Sequence, residues 1–359
     1  MNTLKKIGLT ALGTSLVAGS AFAGEITASG DAGYTYSNEE VGVRTDEGYG
    51  FNHDITFSGS GELDNGFTVS TTMILTEDSS LSSSNVALTM GGMGTITIGG
   101  GLGNVGGGFD AVTPFAYEEN HDGMATTTAI DSMGSLSDGN SILYAAPALE
   151  VGGATVNITA GYTPEAGDSV TGEGAVSAQS ANFGSARTLG AKVSMAGLTA
   201  GIFGEEVDGD SSDGSVSGAS RRGDAMSASW FANYSFGPVS VGYQKAGLDH
   251  GINAAATAAT TAKTVAAAGG FFESEMMSIA FNVNENLSIS YGELTETYNA
   301  QDNASTAIAN VDMESDSIQF AYTMGSMSIK GYQTETSNPG WDSDADSNTE
   351  TEIAVNFAF

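Results

Sequence analysis

Hydrophobic and polar residues alternate with a period of two along most of this 359-residue chain. Near the C-terminus, Ile353, Val355, Phe357 and Phe359 share one side of an extended segment, while Glu352, Ala354, Asn356 and Ala358 share the other. Residues 25–36 set Ile26, Ala28, Ala32, Tyr34 and Tyr36 against Glu25, Thr27, Ser29, Asp31 and Thr35. Residues 224–236 repeat the pattern, with Met226, Ala228, Trp230, Ala232, Tyr234 and Phe236 against Ser227, Ser229, Asn233 and Ser235. Each such run, about 8–14 residues long, predicts a strand with one apolar and one polar face.

The connections between runs alternate in length. Short turns are expected at 63–66, 91–94, 148–153, 195–197, 236–238, 284–286 and 324–327. Longer polar stretches fall between them, at 39–47, 77–83, 102–138, 165–184, 207–222, 248–270, 298–311 and 338–347. Seven short and eight long connections join sixteen strands. A soluble sandwich has no reason to sort its loops by parity, whereas a membrane barrel carries short periplasmic turns and longer external loops. One face of each strand then meets lipid and the other water, and closure pairs every backbone group. The expected fold is all-β: an antiparallel transmembrane β-barrel of sixteen strands, forming a single domain over residues 24–359. Phe359 would anchor the last strand in the periplasmic aromatic girdle, with that strand paired to residues 25–36.

The first residues place the chain outside the cytoplasm. Lys5 and Lys6, an apolar stretch from Ile7 to Ala18, and Ala21-Phe22-Ala23 together read as a signal peptide over residues 1–23. No second apolar run approaches the ~18 residues that a spanning helix needs. Cysteine is absent, so disulfides do not staple this exported fold. The 43 acidic residues against 10 basic ones give a net charge of −33, which excludes nucleic acid as a partner.

The strand "GEITASGDAGYTY" (24–36), the sixteen-strand rhythm, a long third loop (102–138) followed by "NSILYAAP" (140–147), and the closing aromatic residue occur in this order. In that order the chain resembles the Gram-negative outer-membrane general porins of the alphaproteobacterial type. The resemblance implies an outer-membrane homotrimer in contact with lipid and lipopolysaccharide, inserted by the barrel-assembly machinery. It also implies passive diffusion of small hydrophilic solutes, with the third loop folded into the barrel as a constriction. On that basis Asp110, Glu118, Glu119 and Asp122 would line the eyelet. General porins usually set bases on the wall opposite such a loop. Lys192 and Lys330, on the polar phase of their strands, are the candidates here. Arg187 lies on an apolar phase, and Arg44, Arg221, Arg222 and Lys263 fall in loops. The family often has an arginine just before the "NS" pair, where this chain has Asp138-Gly139. Four acids against two bases lead to an expected preference for cations.

Two acidic runs have spacing suited to calcium. Asp342, Asp344 and Asp346 alternate in one, and Asp208 and Asp210 in the other. Hard oxygen ligands from such runs fit Ca²⁺, although neither run is an EF-hand. No cofactor is otherwise required. The three histidines, His53, His121 and His250, form no pair of the kind a barrel protease or lipase needs, so an enzyme is not expected. His121 with its neighbouring carboxylates could ligate a metal, and His53, alternating with Phe51, Ile55 and Phe57, should face lipid or a subunit neighbour. Two other readings stand beside the general channel: a solute-specific outer-membrane channel, and a secreted, calcium-stabilised surface-layer or adhesin β-protein.

Overall fold

The alternating runs become strands whose two faces separate the two residue classes. The computed structural model describes residues 26–76, 81–100, 105–122, 128–137, 139–166, 183–209, 223–249, 251, 270–300 and 311–359. The signal-peptide segment, residues 1–23, lies outside them. In chain order the strands are β1 (Ile26–Val41), β2 (Arg44–Glu62), β3 (Thr68–Leu75), β4 (Leu81–Thr89), β5 (Thr95–Gly100), β6 (Ser141–Ala145), β7 (Leu149–Val151) and β8 (Ala154–Thr163). They continue as β9 (Phe183–Met195), β10 (Leu198–Gly209), β11 (Ala225–Phe236), β12 (Val239–Asp249) and β13 (Gly270–Asn282). The last four are β14 (Leu287–Ala300), β15 (Val311–Met324), β16 (Met327–Ser337) and β17 (Asn348–Ala358). Each neighbouring pair is antiparallel, and β1 pairs with both β2 and β17, which closes the sheet into a barrel.

Seventeen strands make a sixteen-strand barrel because β6 and β7 are two pieces of one barrel strand. Both pair with β8, Ala145 opposite Thr159 and Leu149 opposite Val156, so this strand gains one residue between them. Pro147 sits in that gap. It has no N–H to give the ladder, so it is accommodated at a bulge. The turn expected over 148–153 is therefore only Gly152-Gly153, both at positive φ, between β7 and β8.

The first expected loop needs a larger correction. Residues 39–47 belong to a hairpin whose ladder continues to Val41 opposite Arg44, leaving Gly42 and Val43 as the turn. Glu39, Glu40, Asp46 and Glu47 are tolerated in strands because both faces of a hairpin meet water beyond the bilayer. Period two is lost there while the strand continues. β10 likewise runs to Gly209, past the expected start of the next loop at 207.

The outward faces carry the apolar residues. Ile98, Leu189, Ile202 and Ile318 are each more than half exposed, which suits lipid rather than water. Among the described residues no helix is long and apolar enough to cross a membrane. Buried apolar residues also lie inside the barrel. One inner cluster joins Leu248, Phe272, Tyr298 and Trp341, and another joins Val105, Phe109, Phe203, Phe231 and Met276. Both form where the third loop lies against one side of the inner wall.

Candidate pore constriction

The third loop leaves β5, lies along the inner faces of β8 to β17, and returns to β6. Its backbone is bound by wall side chains, since a loop in this position must satisfy its own N–H and C=O groups. Gln244 donates to the carbonyl of Phe109 and accepts the N–H of Val112 at 2.7 Å. Asn233 donates to the Val112 carbonyl at 2.6 Å, and the Ala116 N–H reaches Ser290 Oγ at 2.8 Å. Gln319 accepts from Tyr117 N–H at 3.0 Å and donates to the Glu118 carbonyl at 2.6 Å. On the return path Glu296 accepts the Ala129 N–H and Glu205 accepts the Gly134 N–H at 3.0 Å. At about 0.5–1.5 kcal/mol net each, and more for the carboxylates, these bonds together hold one loop position.

Glycines on the inner face give the loop room. A Cβ at Gly190 would lie 2.5 Å from the Phe109 ring, and one at Gly292 would collide with the Asn120 side chain. The loop is also tied to itself. His121 Nε2 contacts Asp131 Oδ1, while Asp131 Oδ2 accepts from the Thr128 N–H at 3.1 Å and from Thr128 Oγ1 at 2.9 Å. Burial opposes the charge on His121, but Asp131 outweighs it and raises the imidazole pKa. Burial likewise opposes ionisation of Asp131, and His121 with Thr128 reverses that, leaving its pKa lowered.

The loop tip then presents its acids. Glu118, Glu119 and Asp122 bring carboxylate oxygens within 4.8 Å of one another, all half-buried. Burial, then Asp122 and Glu119, push Glu118 up to about 7. Burial and then Glu119 push Asp122 up to about 6. Asp110 lies earlier in the loop, raised to about 7 by burial and by Asp131 and Glu119, with Oδ1 buried and unpartnered.

The expected bases do not stand opposite. Lys192, on β9, extends over the ring of Phe109 at 4.7 Å and that of Phe231 at 5.7 Å. Lys330, on β16, lies over the ring of Tyr117 at 5.1 Å. Both flank the loop on its own side of the barrel. The facing wall, from β1 to β8, points Thr35, Asn52, Thr56, Thr72, Asn85, Thr97 and Thr159 inward, with Asp31 and Asp54. Arg44, expected in a loop, is instead the first residue of β2 on that wall, and among the described side chains there none is basic. Beside the loop tip, Glu352 accepts from Tyr117 Oη at 2.8 Å and from Ser37 Oγ at 3.1 Å.

A closed barrel narrowed by an inward-folded third loop can be compared with known proteins. A family model described as Gram-negative porin matches residues 8–286. The chain is a Gram-negative porin. Its place is the outer membrane, and porins are normally channels rather than enzymes. No curated relative matches its sequence. Among solved structures, the anion-selective porin from Comamonas acidovorans superposes with a TM-score of 0.64 at 13% identity, covering 93% of this chain and 99% of that one. The trimer form of OmpT from Vibrio cholerae gives 0.61 at 10% identity, with 93% and 99% covered. A mutant of the Rh. blastica porin gives 0.54 at 14%, with 93% and 100% covered. At these identities the likeness concerns the fold.

Elsewhere in the porin, the described acids of the runs singled out for calcium have local partners. Asp344 N–H bonds to Asp342 Oδ1 at 3.0 Å, a local turn, and Asp346 packs against Gly42. Asp208 is on the outer face at the end of β10, bonded to Ser185 Oγ at 2.6 Å and paired with Arg187 at 3.4 Å. Asp210, Arg221, Arg222, His250 and Lys263 lie outside the described residues, as does Asp138. His53 is exposed on the outer face of β2. The loop-binding residues Gln244, Gln319, Glu205 and Glu296 were not singled out by the sequence. Their one signal was a long polar side chain on the inner phase of a strand.

Proposed function

We propose that this porin is a passive, cation-preferring diffusion channel for small hydrophilic solutes and ions. The single supporting observation is the Glu118–Glu119–Asp122 cluster at the tip of the inward loop, facing a wall on which none of the described side chains is basic. Salt at ~0.15 M confines each charge to roughly 8 Å, so the local excess counts rather than the net charge of the chain. A narrow lumen with low-dielectric walls focuses that excess. The C. acidovorans porin, anion-selective by name, has the same fold, so selectivity must come from side chains rather than architecture. The trimeric OmpT form supports a homotrimer here. Lipopolysaccharide contact, insertion by the barrel-assembly machinery, and removal of residues 1–23 complete the reading.

The test is a reversal-potential measurement on the purified protein in planar bilayers under a potassium chloride gradient. A potential of the sign that marks potassium as the more permeant ion supports the reading. Chloride preference rejects it.

A further inference from the structure

Lys192 differs from the other described bases. Lys245 is clamped by Glu273 and Glu275 at 2.8 Å each, and Arg187 pairs with Asp208. Lys330 acts on Glu118. Lys192 pairs with no described carboxylate, in a chain that has 43 acidic residues. Its ammonium is half-buried over two aromatic rings. Ring faces attract the charge but leave its N–H donors without an oxygen acceptor.

Beside this ammonium is a recess of about 340 Å³ between the start of the third loop and the inner wall from β5 to β9. Val105, Phe109 and Leu143 supply an apolar side, while Asn157, Thr159 and Lys192 supply a polar one. Asn157 is the cross-strand partner of Lys192, so an amide and an ammonium lie side by side on the inner face. The volume is at the small end of the ~300–1,000 Å³ range of ligand pockets.

We propose that this recess is a binding site for small organic monocarboxylates. The carboxylate is held by Lys192 with Asn157 as second donor, and a short apolar or aromatic body packs on Phe109, Val105 and Leu143. Acids elsewhere in the lumen repel anions in general. A bare inorganic anion gains only the lysine, whereas an organic carboxylate gains apolar burial as well. The proposal deepens the diffusion-channel reading, because the recess matters to solutes in transit, but binding itself does not require conduction.

The test uses benzoate as probe and the folded full chain in detergent at neutral pH, by titration calorimetry. Saturable benzoate binding is expected, with neutral benzamide binding far more weakly. Lys192→Met should weaken benzoate about tenfold or more, the scale of a lost charge-assisted hydrogen bond. Because Lys192 also touches the loop, Asn157→Ala provides a second variant, expected to weaken binding severalfold. The site is overturned if benzoate fails to bind, if benzamide binds as well, or if both variants keep wild-type affinity. Failure to bind by a protein that conducts cations rejects this site alone. Chloride preference in bilayers, with benzoate still bound, rejects the cation-channel reading and leaves the site standing.

Discussion

Gln319, on the inner face of β15, gives its side-chain N–H to the carbonyl of Glu118 at 2.6 Å and takes the N–H of Tyr117 at 3.0 Å. One primary amide therefore satisfies both backbone polarities at the loop tip, immediately beside the acidic cluster. Wall side chains bind loop backbone at Gln244, Asn233 and Ser290 as well. This arrangement leaves the half-buried carboxylates of Glu118, Glu119 and Asp122 available to the lumen.

Gln319→Ala removes both bonds, and groups left unsatisfied cost about 1–3 kcal/mol each. The barrel, held by its ladders, should keep its heat-modifiable mobility. The loop tip should loosen, giving noisier single-channel currents and a higher mean conductance. Current traces identical to wild type would mean that the loop does not depend on this amide.

Gly292→Ala places a methyl group against the Asn120 side chain. Overpacking of this kind typically costs ~1–3 kcal/mol, and here the loop yields more readily than the strand. Conductance should fall as the tip is pushed into the lumen, and Asn120→Ala in the same chain should restore it. No change in the single variant would show that the wall and loop are not in contact there.

Acidification should reduce selectivity. Glu118 and Asp122 are raised to about 7 and about 6 from ordinary values of 4.5 and 3.8. Raised carboxylates disfavour their charged form in the folded state. The stability they contribute is thus fully present below their ordinary values and is lost as pH rises through 6 to 7. Their charge follows the opposite course: cation preference should be full at pH 8, fall as pH drops through 7 and 6, and be lower at pH 5. A preference that stays constant from pH 8 to pH 5 would show that these groups do not set selectivity.

Phe359 and Gly30 exchange two backbone hydrogen bonds at 2.9 Å, extending the β1–β17 seam past the last strand residue. Deleting Phe359 leaves the Gly30 N–H and carbonyl unpaired at the point of closure and removes an interfacial ring. Assembly should suffer, with protein accumulating in the periplasm. Normal surface levels of the deletion variant would contradict this role.

The strands were legible wherever one face meets lipid. Met226 to Phe236 announces β11 by alternation alone, and the eighth loop was legible at 338–347 as it stands. Legibility ended where that physical contrast ends. Glu39 to Glu47 are wet on both sides, so a hairpin there resembles a loop. Pro147 concealed that 149–151 continues the strand begun at 141. The inner phase of Lys192 and Lys330 was also readable, but not their side of the barrel. That depends on which strands the loop lies against, and the choice is made by Gln244, Glu205, Glu296 and Gln319, which resemble any other lumenal polar residue. The acids of the tip could be found because residues 118–122 concentrate charge. That none of the described side chains opposite them is basic required the complete strand order.

The central claim is that Glu118, Glu119 and Asp122 set ion preference at the loop tip. The most direct measurement is the reversal potential of Glu118→Gln, Glu119→Gln, Asp122→Asn in one chain, in parallel with wild type at pH 8 under the same salt gradient. Wild type should prefer potassium, and the triple variant should move towards zero selectivity with little change of conductance in molar salt, where charges are screened within about 3 Å. A triple variant that keeps the full cation preference of wild type would contradict the account.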